Sequence, residues 1–182
     1  MNETATRILD AAETMIRDGG YYGFSFRQIA DQLSIKSASV HYHYPTKEAL
    51  AAAVADRYTE RFLQALGQPE VDGALLHYVS LFKQALKSDG RACLCCILAG
   101  EAGKIPESLC KTLRGFRDKN IVWLEKAVGH HDPDRGEKQC QEAAVALFSG
   151  LEGGMTFAAL HGQPDHFDEV VSSLLNLIGV PE

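Results

Sequence analysis

Apolar residues recur at helical spacing along almost the whole chain, and no segment alternates apolar and polar residues as a half-buried strand would. The first predicted helix spans about residues 4–17, and one stripe on its surface is formed by Ile8, Ala11, Ala12 and Met15. Gly19 and Gly20 can end this helix, because glycine adopts the left-handed conformation at little cost. These patterns predict an all-α protein.

The second predicted helix has a complete start signal. Ser25 can cap the helix, and Gln28 stands three residues later, as in a capping box. Phe24 and Ile29 flank this cap at the spacing of a hydrophobic staple. The helix is predicted to end near Leu33.

A short break at residues 34–35 separates this helix from a third one, which is predicted to reach about Tyr44. Pro45 ends it, because the residue before a proline avoids helical geometry. Thr46 can cap a fourth helix that continues to about Leu66. Two short helices joined by a tight turn have the form of a helix-turn-helix.

Later helices are predicted over residues 70–88, 91–103, 106–128, 137–161 and 165–178. Pro69, Pro106 and Pro164 each lie near one of these predicted starts, where a missing N–H costs little. The sequence GHHDPDRG, residues 129–136, is the one clear polar loop predicted in this half.

The third helix has two different faces. Val40 is predicted to point inward, with Lys36 or Ser37 and Tyr44 near the same side. The outward face is small and polar at its start and aromatic further on, and consists of Ala38, Ser39, His41 and Tyr42. Small residues allow a helix to approach the floor of the major groove, where hydroxyls and imidazoles can reach base edges or phosphates. Lys47, at the start of the next helix, is placed unfavourably for the helix dipole but suits a phosphate.

Net charge does not favour nucleic acid, because the chain carries a formal charge of −6. Residues 1–57 hold 6 Lys and Arg against 7 Asp and Glu, and residues 58–182 hold 12 against 17. Any DNA contact must therefore depend on local placement of charge. No apolar run approaches the roughly 20 residues of a membrane span, and residues 1–12 lack a secretory signal. We therefore expect a cytoplasmic protein without a membrane partner.

The segment FRQIADQLSIKSASVHYHYPTKEAL resembles the DNA-binding motif of TetR-family transcriptional regulators, together with GGYYGFSFRQIA and the run from Tyr42 to Glu48. The resemblance covers residues 5–55 and is one of architecture alone beyond residue 60. It implies a three-helix DNA-binding domain over residues 1–46 and a ligand-binding and dimerisation domain over residues 47–182, joined by the helix from 46 to about 66. It further implies a homodimeric repressor that leaves a near-palindromic double-stranded operator when a small-molecule effector binds. Neither enzymatic activity nor a cofactor is implied.

The resemblance also implies which residues contact DNA: Ser25, Arg27, Ser37, Ala38, Ser39, His41, Tyr42, His43 and Lys47. Family members commonly carry a lysine where this chain has Ser37, and its own lysine is Lys36, which we add to the set. Ser34 stands where the family usually has a glycine in the turn. Alanine at 38 and histidine at 41 also depart from the family pattern, so the bases read are expected to differ.

Two features of the later helices have functional interpretations. Aromatic and small side chains at helical spacing predict an effector pocket for a neutral or weakly polar molecule, lined by Tyr78, Phe82, Cys96, Phe116 and Trp123. Gly150, Gly153 and Gly154 indicate close approach of helix backbones, since glycine inside a helix costs about 1 kcal/mol. The last two long helices are therefore expected to form a four-helix dimer interface with their copies.

The five cysteines leave an alternative open. Cys93, Cys95 and Cys96 could serve a thiol- or metal-responsive regulator, because C-x-x-C occurs in redox and zinc sites. Packing of reduced cysteines is favoured, since no second C-x-x-C follows, and no histidine is placed to make Cys95 or Cys96 an enzyme nucleophile. The pair His41 and His43 points in directions about 200° apart on a helix. His130 and His131, beside two aspartates, more closely fit a solvated loop, so no metal site is predicted.

Overall fold

The computed structural model describes residues 3–163 and 165–181, and in those residues the only regular structure is helical. The α-helices are α1 (Glu3–Gly19), α2 (Phe26–Leu33), α3 (Ser37–His43), α4 (Lys47–Leu66), α5 (Ala74–Asp89), α6 (Leu94–Ala99), α7 (Glu107–His131), α8 (Glu137–His161) and α9 (Asp165–Ile178). A single 3₁₀ turn, Tyr21–Gly23, follows α1. The predicted all-α class is confirmed, whereas the prediction made for Pro164 lies outside the described residues.

The predicted boundaries of α5, α6 and α7 are wrong, and α6 begins at Leu94 rather than near residue 91. Helix α6 ends at Ala99, because the Glu101 and Ala102 amides bond three residues back, to the Leu98 carbonyl at 3.0 Å and the Ala99 carbonyl at 3.1 Å. Helix α5 begins only at Ala74, so Pro69 is not at a helix start. Helix α7 continues through His130 and His131, where Asp132 N–H still donates to the Val128 carbonyl at 2.9 Å.

The first compact unit comprises Met1–Glu60 and Leu94–Phe116. Its core contains Ile8, Ile16, Ile29, Val40 and Leu50, each fully buried. Ile16 takes the place on the α1 stripe that was predicted for Met15, which is only half-buried. Burial of one such side chain stabilises a fold by about 1.5–3 kcal/mol. These side chains therefore fix α1, α2, α3 and the start of α4 as one body, against which α6 also packs through α1.

The second unit comprises Arg61–Cys93 and Arg117–Glu182, and its most extensive helix pair is α8 with α9. A Cβ on Gly150 would lie 2.8 Å from the Leu174 methyl carbons, and one on Gly154 would lie 2.9 Å from a Val170 methyl carbon. The absence of a side chain at these two glycines therefore allows α9 of the same chain to pack closely against α8. The expectation that Gly150 and Gly154 lie against the backbone of a partner subunit is wrong, because Leu174 and Val170 of the same chain fill that space.

Helix α8 also has the length and apolar composition of a membrane span. Its buried residues Leu147, Leu151 and Met155 lie in the second unit, where α8 packs against α5 and α9. That packing accounts for the buried apolar residues of α8.

Candidate nucleic-acid interface

The start of α2 is built by its cap. Ser25 Oγ accepts the Gln28 backbone N–H at 3.2 Å and donates to Gln28 Oε1 at 2.7 Å. The predicted cap is thus confirmed, with the glutamine side chain bound to the Ser25 hydroxyl. Phe24 and Ile29, the predicted staple, are both buried. Arg27, one position into the helix, is exposed and lies 3.9 Å from Asp31, a separation at which an exposed pair stabilises little.

Ser34 makes the turn between α2 and α3. It adopts the left-handed conformation, with φ 54° and ψ 42°, and is the one described residue other than glycine with a positive φ. Its N–H bonds the Asp31 carbonyl, while Ile35 N–H bonds the Ala30 carbonyl at 3.0 Å. The serine therefore performs the turn that the family usually gives to glycine, at a conformational cost of about 1 kcal/mol.

Helix α3 presents the face that the sequence predicted. Val40 is fully buried, whereas Tyr42 is 85% exposed. The other exposed predicted contacts are Lys36, Ser37, Ala38 and His41, and those that are half-exposed are Ser39 and His43. Lys36 and Ser37 are thus both exposed, and the suggestion that one of them lies near the buried side is wrong. The His41 ring packs edge-on against Phe26 at 4.6 Å, which limits the directions the imidazole can take.

Lys47 lies in an environment that sequence reasoning did not anticipate. Its Nζ is 4.6 Å from the Phe24 ring centroid, 4.8 Å from that of Tyr21 and 5.6 Å from that of Tyr22. Partial burial lowers the pKa of Lys47, and the negative charge of Glu101 acts in the opposite direction. Attraction between an ammonium and aromatic faces stabilises this position. The aromatic run YYGF at residues 21–24 is the sequence feature from which these surroundings of Lys47 could have been predicted.

Arg57 fixes the orientation of α4 on α1. Its two terminal nitrogens lie 2.8 Å from Asp10 Oδ1 and 2.9 Å from Glu13 Oε2. The Arg57 and Glu13 side chains are 13% and 15% exposed, so their contact is shielded from solvent, whereas Asp10 is 61% exposed and adds a surface contact. Arg57 thus holds α4, which carries Lys47, to α1, which supports the helix-turn-helix of α2 and α3 (residues 26–43), which we call the reading head.

Three of the five predicted effector residues meet in the second unit. The Tyr78 ring stacks on Phe82 at 5.4 Å and lies at the same centroid distance from Trp123, tilted by 33°. Phe62 adds an edge-on ring 5.8 Å from Tyr78. The fourth and fifth residues lie in the first unit: Cys96 is half-buried on α6, and Phe116 is buried with its ring 6.1 Å from Tyr58.

The aromatic cluster has polar neighbours that the sequence reasoning missed. The Tyr78 hydroxyl donates to Asn120 Oδ1 at 2.7 Å, and both side chains are buried. Burial, followed by the negative charge of the buried Glu152, raises the pKa of Tyr78 well above 10.0. Asn120 could have been found, because it shares the helical spacing of the buried Phe116 and Leu124.

The cysteines and paired histidines show no common site. Each cysteine is a thiol rather than half of a disulfide, and all are buried except the half-buried Cys96. Within residues 3–163 and 165–181, no three His, Cys, Asp or Glu side chains are grouped as a metal site would require. His130 Nε2 lies 3.3 Å from Asp72 Oδ1, whereas His131 Nε2 lies 3.2 Å from the Gly179 carbonyl. The two histidines thus have separate partners.

Comparison with known proteins agrees with this geometry. Residues 8–54 match the family model for bacterial regulatory proteins of the tetR family. The chain is 33% identical over 186 residues to an uncharacterized HTH-type transcriptional regulator in the dhlA 5′ region of Xanthobacter autotrophicus. This alignment covers 97% of this chain and 89% of the relative. It is 23% identical over 181 residues to IcaR of Staphylococcus epidermidis, named as the negative transcriptional regulator of the biofilm operon icaADBC, with 94% and 96% covered.

The fold comparison extends over the full helical architecture. A TetR transcriptional regulator from Legionella pneumophila superposes with a TM-score of 0.88 at 26% identity, covering 97% of this chain and 98% of the other. The match includes both the reading head and the helices that follow it. On the full-length sequence relationship and the motif match together, this chain belongs to the TetR family of bacterial transcriptional regulators.

Proposed function

We propose that this regulator is a repressor that binds a near-palindromic operator as a homodimer and releases it when a small molecule binds the second unit. The observation that carries the proposal is the two-sided α3, whose Val40 is buried while its small and polar face is exposed. Repression is supported by the name of the relative IcaR, a negative regulator. A repressor of this kind acts in the cytoplasm, where its operator lies.

Contacts to DNA divide into two kinds in this proposal. Ser39 and His41 read base edges, because they stand on the exposed face of α3, where a helix enters the major groove. Tyr42 and Lys47 bind phosphates and fix the position of the helix without reading sequence. The remaining proposed DNA contacts lie at the start of α2 and along α3, and are Ser25, Arg27, Lys36, Ser37, Ala38 and His43.

Pairing of α8 and α9 with their copies is supported by the surface of these helices. Phe157, Leu160 and Leu177 are 64%, 74% and 79% exposed, which is more than the other large apolar side chains described, apart from Tyr42. Gly153 shares a helical face with the first two and has open space beside it. Exposed apolar side chains concentrated on one helix pair favour association. A two-fold dimer presents two identical reading heads, which requires a near-palindromic operator.

The effector site is proposed around Tyr78, Phe82 and Trp123 of the second unit, whereas Cys96 and Phe116, which were predicted with them, belong to the first unit. The three rings supply apolar surface, and the buried Asn120 supplies a hydrogen-bonding amide beside it. An effector with an apolar body and one polar group suits this combination. Helices α4 and α7 each begin in the first unit and end in the second, so both provide covalent routes for coupling. A hundredfold difference in affinity between the two states, about 2.7 kcal/mol, lies within the usual range for coupling between two sites.

Binding to duplexes selected by the protein from a random pool tests this proposal. Fluorescence anisotropy across a salt series should show that Lys47→Ala weakens binding to all sequences and reduces the salt slope by about 1. The matched control is Lys138→Ala, since Lys138 is an exposed lysine on α8. His41→Ala should instead change the preferred bases. An unchanged base profile for His41→Ala would show that α3 does not read bases through this residue.

The same assay distinguishes the thiol- or metal-responsive alternative from release by a small-molecule effector. DNA binding by wild type and by the Cys93→Ser, Cys95→Ser, Cys96→Ser triple variant is compared with oxidant, with chelator and with candidate metabolites. Release by a metabolite in both proteins, accompanied by a change in Trp123 fluorescence, supports the small-molecule effector. Release by oxidant in the wild type alone assigns the response to the thiols.

A further inference from the structure

The segment between α6 and α7, residues 100–106, is attached to the turn that precedes α2. Glu101 Oε2 accepts the Tyr21 backbone N–H at 2.7 Å. The Tyr22 hydroxyl donates to the Lys104 carbonyl oxygen. Both attachments lie within the first unit, although residues 21 and 101 are 80 positions apart in the chain.

Gly20 shows how closely the Glu101 carboxylate fits. A Cβ at this position would lie 2.5 Å from Glu101 Oε1, a distance that real Cβ atoms do not adopt. Gly20 also has a φ of 68°, which other residues rarely adopt. The carboxylate thus occupies the space that any other residue at position 20 would need.

The anchored residues are the same ones that surround Lys47. Tyr21, Tyr22 and Phe24 form an aromatic cage around its ammonium, with ring centroids 4.6–5.6 Å away. The negative charge of Glu101 acts on the ammonium as well. Lys47 is therefore attracted to groups of its own chain at the position where the proposed function requires a phosphate.

We propose that Glu101 competes with DNA phosphates for Lys47, so that residues 100–106 restrain the protein's own DNA contact. This inference rests on the proposed phosphate contact of Lys47. A carboxylate beside the lysine attracts it and also repels an approaching phosphate, so both effects oppose binding. The restraint can be regulated, because residues 100–106 continue directly from α6, and α6 packs against α1. A shift of α6 changes the distance between Glu101 and Lys47.

The test is a double-mutant cycle of Glu101→Gln with Lys47→Ala, measured as Kd for an operator duplex. Glutamine keeps an oxygen for the Tyr21 N–H and removes only the charge. We expect Glu101→Gln to tighten binding about two- to fivefold when Lys47 is present, the range expected for partly exposed ion pairs. The gain should disappear in the Lys47→Ala background.

Glu60→Gln is the matched control, because Glu60 is an exposed acid of the same unit about 20 Å further along α4. Its effect on Kd should be equal in both backgrounds. An equal effect of Glu101→Gln in both backgrounds, or weaker binding by that variant, overturns the inference while Lys47→Ala still supports the proposed function. If Lys47→Ala changes neither Kd nor salt slope, the phosphate contact itself fails.

Tyr22→Phe tests the segment without changing any charge. Tyr22 is 61% exposed, so the variant is expected to fold, and its ring remains beside Lys47. Loss of the hydroxyl bond to Lys104 should loosen residues 100–106 and tighten DNA binding, by less than Glu101→Gln does. An unchanged or weakened affinity for Tyr22→Phe contradicts restraint by this segment.

Discussion

Substitution of Gly154 by alanine should destabilise the protein, although alanine is the better helix former. In a helix interior the exchange contributes about 1 kcal/mol of stability where space is open. At Gly154, the new Cβ would lie 2.9 Å from one Val170 methyl carbon and 3.2 Å from the Val170 Cβ. Valine is stiff at χ1, so α9 itself must move.

The net effect follows from these two opposing contributions. Overpacking of this kind costs about 1–3 kcal/mol, and subtraction of the helical gain leaves a destabilisation of about 1 kcal/mol. For a protein of this size, that lowers the Tm by about 2–4 °C. Gly150→Ala should cost less, because its contacts are the flexible ends of Leu174.

Scanning calorimetry at one protein concentration measures these differences, since the Tm of an associating protein depends on concentration. Gly115→Ala is the control, because this glycine lies inside α7 with nothing within 4 Å of a new Cβ, and it should raise the Tm. The expected order is Gly115→Ala above wild type and Gly154→Ala below. If Gly154→Ala raises the Tm as much as the control does, the close approach of α8 and α9 is refuted.

Three further outcomes are expected. Ser34→Gly should stabilise the protein by about 1 kcal/mol in urea unfolding, because it relieves a left-handed serine; an unchanged midpoint would contradict that strain. Tyr78 keeps its proton in the folded state above the pH near 10 at which the unfolded chain loses it, so stability should fall as pH rises through 10. Tyr78→Phe should reduce that fall and cost about 1–3 kcal/mol at pH 7 by removing the buried hydrogen bond from the Tyr78 hydroxyl to Asn120 Oδ1; equal pH dependence in both proteins would count against the assignment. Phe157→Glu should produce monomers in light scattering, whereas Val122→Glu, at an exposed site on α7, should not; a dimeric Phe157→Glu would remove α8 from the interface.

The reading head could be predicted in detail because its signals are local. The cap at Ser25, the break at Ser34 and the inward Val40 all depend on residues within one or two helical turns. The fold class followed from periodicity in the same way. Within the reading head, the one wrong prediction was the side of α3 on which Lys36 and Ser37 lie. These two residues stand at the start of the helix, where few neighbours define the direction of a side chain on a helical wheel.

Contacts between distant parts of the chain could not be predicted. The anchoring of Tyr21 by Glu101 joins residues 80 positions apart, and no local pattern encodes that pairing. The glycines of α8 indicated that a second backbone comes close, but spacing cannot say whether α9 of the same chain or a copy provides it. Asn120 lay on an apolar stripe, and its partner Tyr78 is identified only by the packing of α5 on α7.

In the proposed function, two reading heads of one dimer bind a single near-palindromic site. The most direct measurement is a stoichiometric anisotropy titration of a selected duplex and its scrambled counterpart at physiological salt. We predict saturation at two chains per duplex and at least about a thousandfold preference over the scrambled sequence. Saturation at one chain per duplex, or equal affinity for both duplexes, would contradict the claim.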